Sequence, residues 1–138
     1  MTFREVLAAE LQRRCRRNRR YSLRAFGRAL GIDHSTLSQV MRGGRRLTSR
    51  SVLRLAPRLG IPQHEAESFA KEAQLLQSMG RRSFRPRSSE VARRLGISVD
   101  EANVLLQRML RTRQMRMTDR GWEVVDGESR RAVADRRP

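Results

Sequence analysis

Phe3, Leu7, Leu11 and Cys15 recur at every fourth position with Val6 beside them, and polar or basic residues fill the intervals. That period predicts a helix with one buried stripe. Thr2 followed by Glu5 is a capping-box pattern, so the helix is expected to start at once. Cys15 lies on the stripe and reads as a small buried filler. A second helix is expected from Ser22, whose hydroxyl can cap it, with Leu23, Phe26 and Leu30 on one face. Gly31 can close that helix in the left-handed conformation, Ile32 plugs the corner, and Asp33 is placed to cap the next helix. This third helix is expected over 34–42, with Leu37, Val40 and Met41 inward and His34, Ser35, Ser38, Gln39 and Arg42 outward. Gly43 and Gly44 end it.

Thr48 or Ser49 can cap a fourth helix that turns Val52, Leu53 and Leu55 toward the core. An interior proline costs about 3 kcal/mol, so Pro57 ends or kinks this helix near Ala56, with Leu59 and Gly60 closing it. Pro62 suits the first turn of a fifth helix running to about Met79, with Ala66, Phe69, Ala70, Ala73 and Leu76 on its stripe. It is long for a small domain. Its surplus can pack on a second copy of the chain or on the chain's own C-terminal part.

The stretch GRRSFRPR mixes glycine, proline and arginines around Phe84 and reads as a basic linker over 80–87. Beyond it Ser88 or Ser89 can cap a helix carrying Val91, Ala92 and Leu95. Gly96 ends this helix, Ile97 fills the corner, and Ser98 with Glu101 makes a second capping box. The following helix turns Ala102, Leu105, Leu106, Met109 and Leu110 inward. Met115, Met117, Trp122, Val124 and Val125 then lie in two short runs around Thr118, Asp119, Arg120 and Gly121, which fits a hairpin, with Trp122 as its anchor on the core. The tail over 127–138 is charged and poor in apolar residues, and disorder is expected there.

Charge sharpens the functional expectation. Lys and Arg number 31 against 14 Asp and Glu in 138 residues, a formal net charge of +17. Such an excess points to a polyanion, most simply nucleic acid. It is not confined to a tail, because residues 1–80 hold 16 basic and 6 acidic side chains and residues 81–138 hold 15 and 8. Lys71 is the sole lysine, and the planar fork of arginine suits phosphate and guanine. Arg13, Arg14, Arg16, Arg17, Arg19 and Arg20 form a cluster that either follows phosphates or is merely solvated. Aromatic residues make up only 4% of the chain, which leaves few platforms for stacking RNA bases.

The segment LGIDHSTLSQVMRGGRRLT, from the turn through the helix and loop that follow, resembles the repressor/Cro (XRE-like) helix-turn-helix family. The resemblance implies five helices over residues 1–79, the third reading the DNA major groove. Aligned on Gly31, it implies base reading by His34, Ser35 and Gln39 and phosphate contacts by Ser22, Arg42, Arg45 and Arg46. Residues 88–126, with helix, turn, helix and hairpin in that order, resemble a winged-helix module. The expected fold class is therefore mainly α, with a short β-hairpin in the second module. Arg108, Arg111, Arg113, Arg116 and Arg120 are candidate wing contacts to DNA. Asp100 and Glu101 would be repelled by phosphates, and a structural or dimerising role is the alternative.

Other chemistry finds little material. His34 and His64 have no Cys or carboxylate partners at metal-ligand spacing, a single cysteine excludes an internal disulfide, and GxxxxGK[ST] is absent. Neither a metal, a cofactor nor a catalytic role is expected. No apolar run approaches the roughly 20 residues that span a bilayer, and the first residues lack the apolar core of a signal peptide. A cytoplasmic, nucleoid-associated protein is expected. The leading expectation is a sequence-specific regulator binding double-stranded DNA as a homodimer. An architectural DNA-coating protein and an adaptor whose winged helix docks an acidic protein partner are the alternatives.

Overall fold

A computed structural model describes residues 1–79, 87–119 and 121–125 of the chain, and within the last strands the side chains of 117, 118 and 121–123 are left out of the description. The predicted linker, apart from Arg87, and the predicted tail lie outside the described residues, as do Phe84 and Arg120. Helices α1 (Phe3–Arg17), α2 (Leu23–Leu30), α3 (His34–Met41), α4 (Ser49–Leu55) and α5 (Gln63–Met79) are followed by α6 (Ser88–Leu95) and α7 (Val99–Arg111). Strands β1 (Met115–Thr118) and β2 (Gly121–Val124) pair antiparallel, with Met115 opposite Val124 and Thr118 opposite Gly121. The described chain is thus mainly helical.

Local chemistry sets the helix ends. Thr2 and Glu5 form the reciprocal capping box of α1, and Ser98 and Glu101 form that of α7. Ser22, Asp33 and Thr48 cap α2, α3 and α4 by accepting from the backbone N–H three residues on. Each satisfies a donor that the helix itself cannot. Pro57 lies in the first turn of a 3-10 segment, Ala56–Leu59, so α4 stops at Leu55 and a tighter turn takes over where the proline would break the ladder.

Three apolar clusters fill the interior. Leu7, Phe26, Leu30, Leu37, Val40 and Leu55 form the first, around α1 to α4. Val52, Phe69 and Ala70 join α4 to α5, with the Phe3 ring edge-on to Phe69 at 5.5 Å between centroids. Leu75, Leu76 and Met79 of α5 close the third cluster with Val91, Ala102, Leu106, Met109 and Met115. The far half of α5 is therefore covered by α6, α7 and β1 of the same chain.

Several expectations need correction. Leu53 is 41% exposed, because Val52, Leu55 and Ala56 occupy the inward face and Leu53 lies a quarter-turn away. Cys15 is only half-buried, and its thiol donates to the Tyr21 carbonyl at 3.6 Å. On α5 the single stripe is too narrow, since Glu72, Leu75 and Met79 are buried as well. Neither serine caps α6. Arg87 holds the N-cap position without a side-chain bond, and the Ser88 hydroxyl instead donates to Asn103 Oδ1 on α7.

Candidate nucleic-acid interface

The corner between α2 and α3 is fixed by backbone geometry. Gly31 takes φ 71°, its N–H donates to the Arg28 carbonyl, and the Ile32 N–H returns to the Gly27 carbonyl at 2.9 Å. A Cβ built on Gly31 would stand 2.4 Å from an Arg58 guanidinium nitrogen, besides being strained at that φ. Gly27, which the apolar pattern passes over, is a second fixed point. It is buried, and a Cβ there would come within 2.9 Å of the Ile32 carbonyl oxygen. Gly27→Ala gains about 1 kcal/mol of helix propensity but forces backbone apart, and such overpacking costs about 1–3 kcal/mol. A lowered urea midpoint is the expected outcome, whereas a raised one would show that the corner can open.

Leu37 and Val40 plant α3 on the core, while His34, Ser35 and Gln39 stand exposed on its outer side, as the apolar period predicts. Ser38 is half-buried and accepts from Arg42, whose Nη2 lies 3.0 Å from its hydroxyl. Arg42 forms the C-cap, so α3 ends one residue earlier than expected. Gly43, at φ 81°, reverses the chain, and Gly44 N–H donates to the Gln39 carbonyl. Arg45 then reaches back to the Thr36 hydroxyl at 3.4 Å, and Arg46 is exposed beside it. Ser22 is exposed, its hydroxyl engaged in the α2 cap. The structure thus gathers His34, Ser35, Gln39, Arg42 and Arg45 along one helix and its loop.

The α1 arginines divide. Arg13 and Arg14 lie 2.6 and 3.0 Å from Glu10 Oε1. The hydrogen bond from Arg13, aided by Arg14 and opposed by partial burial, lowers the Glu10 carboxyl to about 2. Arg14 also donates to the Tyr21 hydroxyl and lies 5.3 Å over the Phe26 ring. Arg16, Arg17, Arg19 and Arg20 are exposed.

In α6 and α7 the corner recurs. Gly96 takes φ 64°, and the Ile97 N–H donates to the Ala92 carbonyl at 3.0 Å, as Ile32 does to Gly27. Val99, Asp100 and Val104 occupy the outer side of α7, where α3 carries His34, Ser35 and Gln39. Of the candidate wing arginines, Arg111, Arg113 and Arg116 are exposed. Arg113 has φ 58°, a conformation that favours glycine. Arg108 departs from this group. It points inward, its guanidinium 4.7 Å over the Phe69 ring and its Nε 3.0 Å from Glu72 Oε1. Glu72 is 3% exposed. Gln114 Nε2 donates to its other oxygen at 3.4 Å, while Oε1 receives no aligned hydrogen bond, so the Arg108 contact is one of charge. Burial raises the Glu72 carboxyl above the ordinary range, with the Arg108 charge and the Gln114 bond pulling the other way. Sequence periodicity missed Glu72, since a charged residue inside a stripe has no meaning until its distant partner is known.

Among the described residues no group of three His, Cys, Asp or Glu side chains is placed to hold a metal ion, and no helix is long and apolar enough to cross a membrane. No curated protein and no solved structure matches the chain. Residues 6–69, from within α1 to within α5, match a family model described as a helix-turn-helix domain, which points to DNA binding.

Proposed function

We propose that the chain is a sequence-specific transcriptional regulator of the repressor/Cro-like kind, acting on double-stranded DNA at the nucleoid. Residues 1–79 form its DNA-binding unit and residues 88–126 a winged-helix-like module. It is no enzyme in this reading. The observation that carries it is the outer side of α3, where exposed His34, Ser35 and Gln39 stand on a helix anchored by Leu37 and Val40 and flanked by Arg42, Arg45 and Arg46. Short polar side chains on a rigid helix suit base edges, and arginines at its end suit the phosphates beside the groove. Arg111, Arg113 and Arg116 supply the second module's own contact to the backbone. Because α6, α7 and β1 cover the far half of α5, homodimerisation on paired half-sites would use another surface.

Selection of bound duplexes from a random library at fixed salt tests the reading. An enriched motif is expected, and tight, salt-sensitive binding without enrichment would favour the architectural alternative. Gln39→Ala is expected to relax preference at one base position by about 1–3 kcal/mol. Arg45→Ala is expected to weaken all sequences alike and to flatten the salt slope by about one. Titrations of matched and scrambled duplexes at several salt concentrations separate the two; equal loss on every sequence for Gln39→Ala would remove it from the reading set.

A further inference from the structure

A cleft of about 300 Å³ opens between the start of α1, the α3–α4 loop, α5 and the base of the strand pair. That volume is at the lower end of the roughly 300–1,000 Å³ typical of small-ligand sites. Phe3, Val52, Phe69, Ala73 and Leu76 give it apolar walls. Glu72 is the one carboxylate among its described lining residues, and that carboxylate is taken. Its Oε1 is buried and pairs with Arg108 Nε at 3.0 Å, and its other oxygen accepts from Gln114. The interior therefore offers a ligand no charge to meet, and the part of a ligand that enters it has to be apolar, since an unpaired charge there would lose its hydration uncompensated. The mouth differs. Arg4 on α1 and Arg45 and Arg46 on the α3–α4 loop line it and are exposed. No described carboxylate pairs with Arg4 or Arg45. Arg45 has the neutral Thr36 hydroxyl as its partner at 3.4 Å, a long bond that a charged acceptor would better.

We propose that this cleft binds a small apolar carboxylate of the fatty-acid kind, with its hydrocarbon chain on the apolar walls and its carboxylate toward Arg4 and Arg45. Guanidinium groups from two separate elements suit a carboxylate, whose two oxygens accept charge-assisted hydrogen bonds. An ammonium on the same chain would be repelled by the mouth, and a neutral head group would gain the walls alone. The site also carries a consequence for DNA, resting on the function proposed above. Arg45 belongs both to the cleft and to the candidate phosphate contacts, so the ligand carboxylate competes with the DNA backbone. Occupied protein binds DNA more weakly, and by linkage DNA weakens carboxylate binding by the same factor, typically about 5- to 150-fold.

The test uses the full chain and calorimetric titration with hexanoate, octanoate and decanoate, together with octanol and octylammonium, which replace the carboxylate of octanoate by a neutral and a cationic group. Saturable binding is expected, tightening about fourfold with each added methylene until the cleft is full. Octanol and octylammonium should bind at least about tenfold more weakly than octanoate. Arg4→Gln, an exposed change, should weaken octanoate by a similar factor, and Ala73→Leu should block the cleft while leaving DNA affinity without octanoate unchanged. Circular dichroism confirms that each variant folds. No saturable binding of the three acids, affinity indifferent to chain length, octanol or octylammonium binding as tightly as octanoate, or full affinity in both variants would overturn the site. Octanoate affinity that falls as protein concentration rises would give the cleft to a second copy of the chain, and overturn it too. Octanoate binding without DNA binding would leave the cleft standing and defeat the regulator, and DNA affinity indifferent to bound octanoate would defeat the competition.

Discussion

Phe26→Ala is expected to destabilise the chain by about 3–5 kcal/mol, the range for truncating a fully buried phenylalanine. The ring has no exposed surface and packs with Leu7, Leu30, Leu37, Val40 and Leu55. Its loss removes apolar burial and leaves a cavity where α1, α2 and α3 meet. It also removes the ring under the Arg14 guanidinium, leaving Arg14 only its bonds to Glu10 and Tyr21. A domain of this size has a total stability of about 5–15 kcal/mol, so the loss is a large share of the whole. Urea denaturation followed by helical circular dichroism should show a lower midpoint with a similar slope. Phe26→Leu keeps most of the volume and should cost less than about 1.5 kcal/mol. A Phe26→Ala variant within about 1 kcal/mol of the parent would mean that the cluster collapses to fill the space.

Phe26 was legible in the sequence because one helix there meets one core. The same holds for the ends of elements. Thr2 with Glu5, Ser98 with Glu101, and the glycines at 31 and 96 act through neighbours a few positions away, and local chemistry is what a sequence displays directly. The failures have a different cause. On α5 the reading of one stripe assumed one partner, whereas the helix faces α4 with Phe69 and Ala70 and the C-terminal cluster with Leu75, Leu76 and Met79. Two partners need two stripes, and a helix buried on both shows neither cleanly. Leu53 erred in the opposite direction, because three apolar residues within one turn cannot all face one core.

For the candidate interface, the outward residues of α3 followed from the period that places Leu37 and Val40 inward. What the period omitted was Gly27. Its role depends on the approach of the Ile32 carbonyl, which exists only once the corner is made. In the second motif Ala92 stands at the same point, with the matching bond from Ile97 slightly longer at 3.0 Å. The two corners share a backbone plan but present opposite surfaces. The side of α3 is polar and neutral to basic, while that of α7 offers Val99, Asp100 and Val104, with Asp100 and Glu101 in its first turn. Carboxylates in that turn favour the helix dipole and disfavour a phosphate. Under the proposed function the contrast gives the reading role to α3 and leaves the second module's candidate arginines, in α7 and after it, a supporting one.

Arg108 is the exception among those arginines, and replacing it with alanine is expected to cost about 3 kcal/mol near neutral pH, the lower end for breaking a buried ion pair because Arg108 keeps some solvent contact. The loss arises mainly from what remains. Glu72 would stay buried on α5 with Gln114 as its hydrogen-bond donor and no adjacent guanidinium, and Phe69 would lose its cover. Adding Glu72→Gln to Arg108→Ala removes the stranded charge and should restore most of the stability, a coupling that a double-mutant cycle reads directly. The pH dependence has a definite sign. With the folded Glu72 raised above its ordinary 4.5, the folded state holds a proton that the unfolded state has released, so this group makes stability fall as pH rises from 4.5 through the raised value. Glu72→Gln should flatten that fall. Removing Arg108 raises the folded carboxyl further, so the penalty of Arg108→Ala should shrink below pH 4.5, where Glu72 is protonated in both states. Denaturation of parent and variants on both sides of that value measures it, and a penalty independent of pH would assign the loss to packing on Phe69. The same variant separates structure from DNA contact. An inward guanidinium contributes no released counterion, so where Arg108→Ala remains folded, its DNA salt slope should equal the parent's, while Arg111→Ala or Arg116→Ala should flatten it if the second module lies on the backbone.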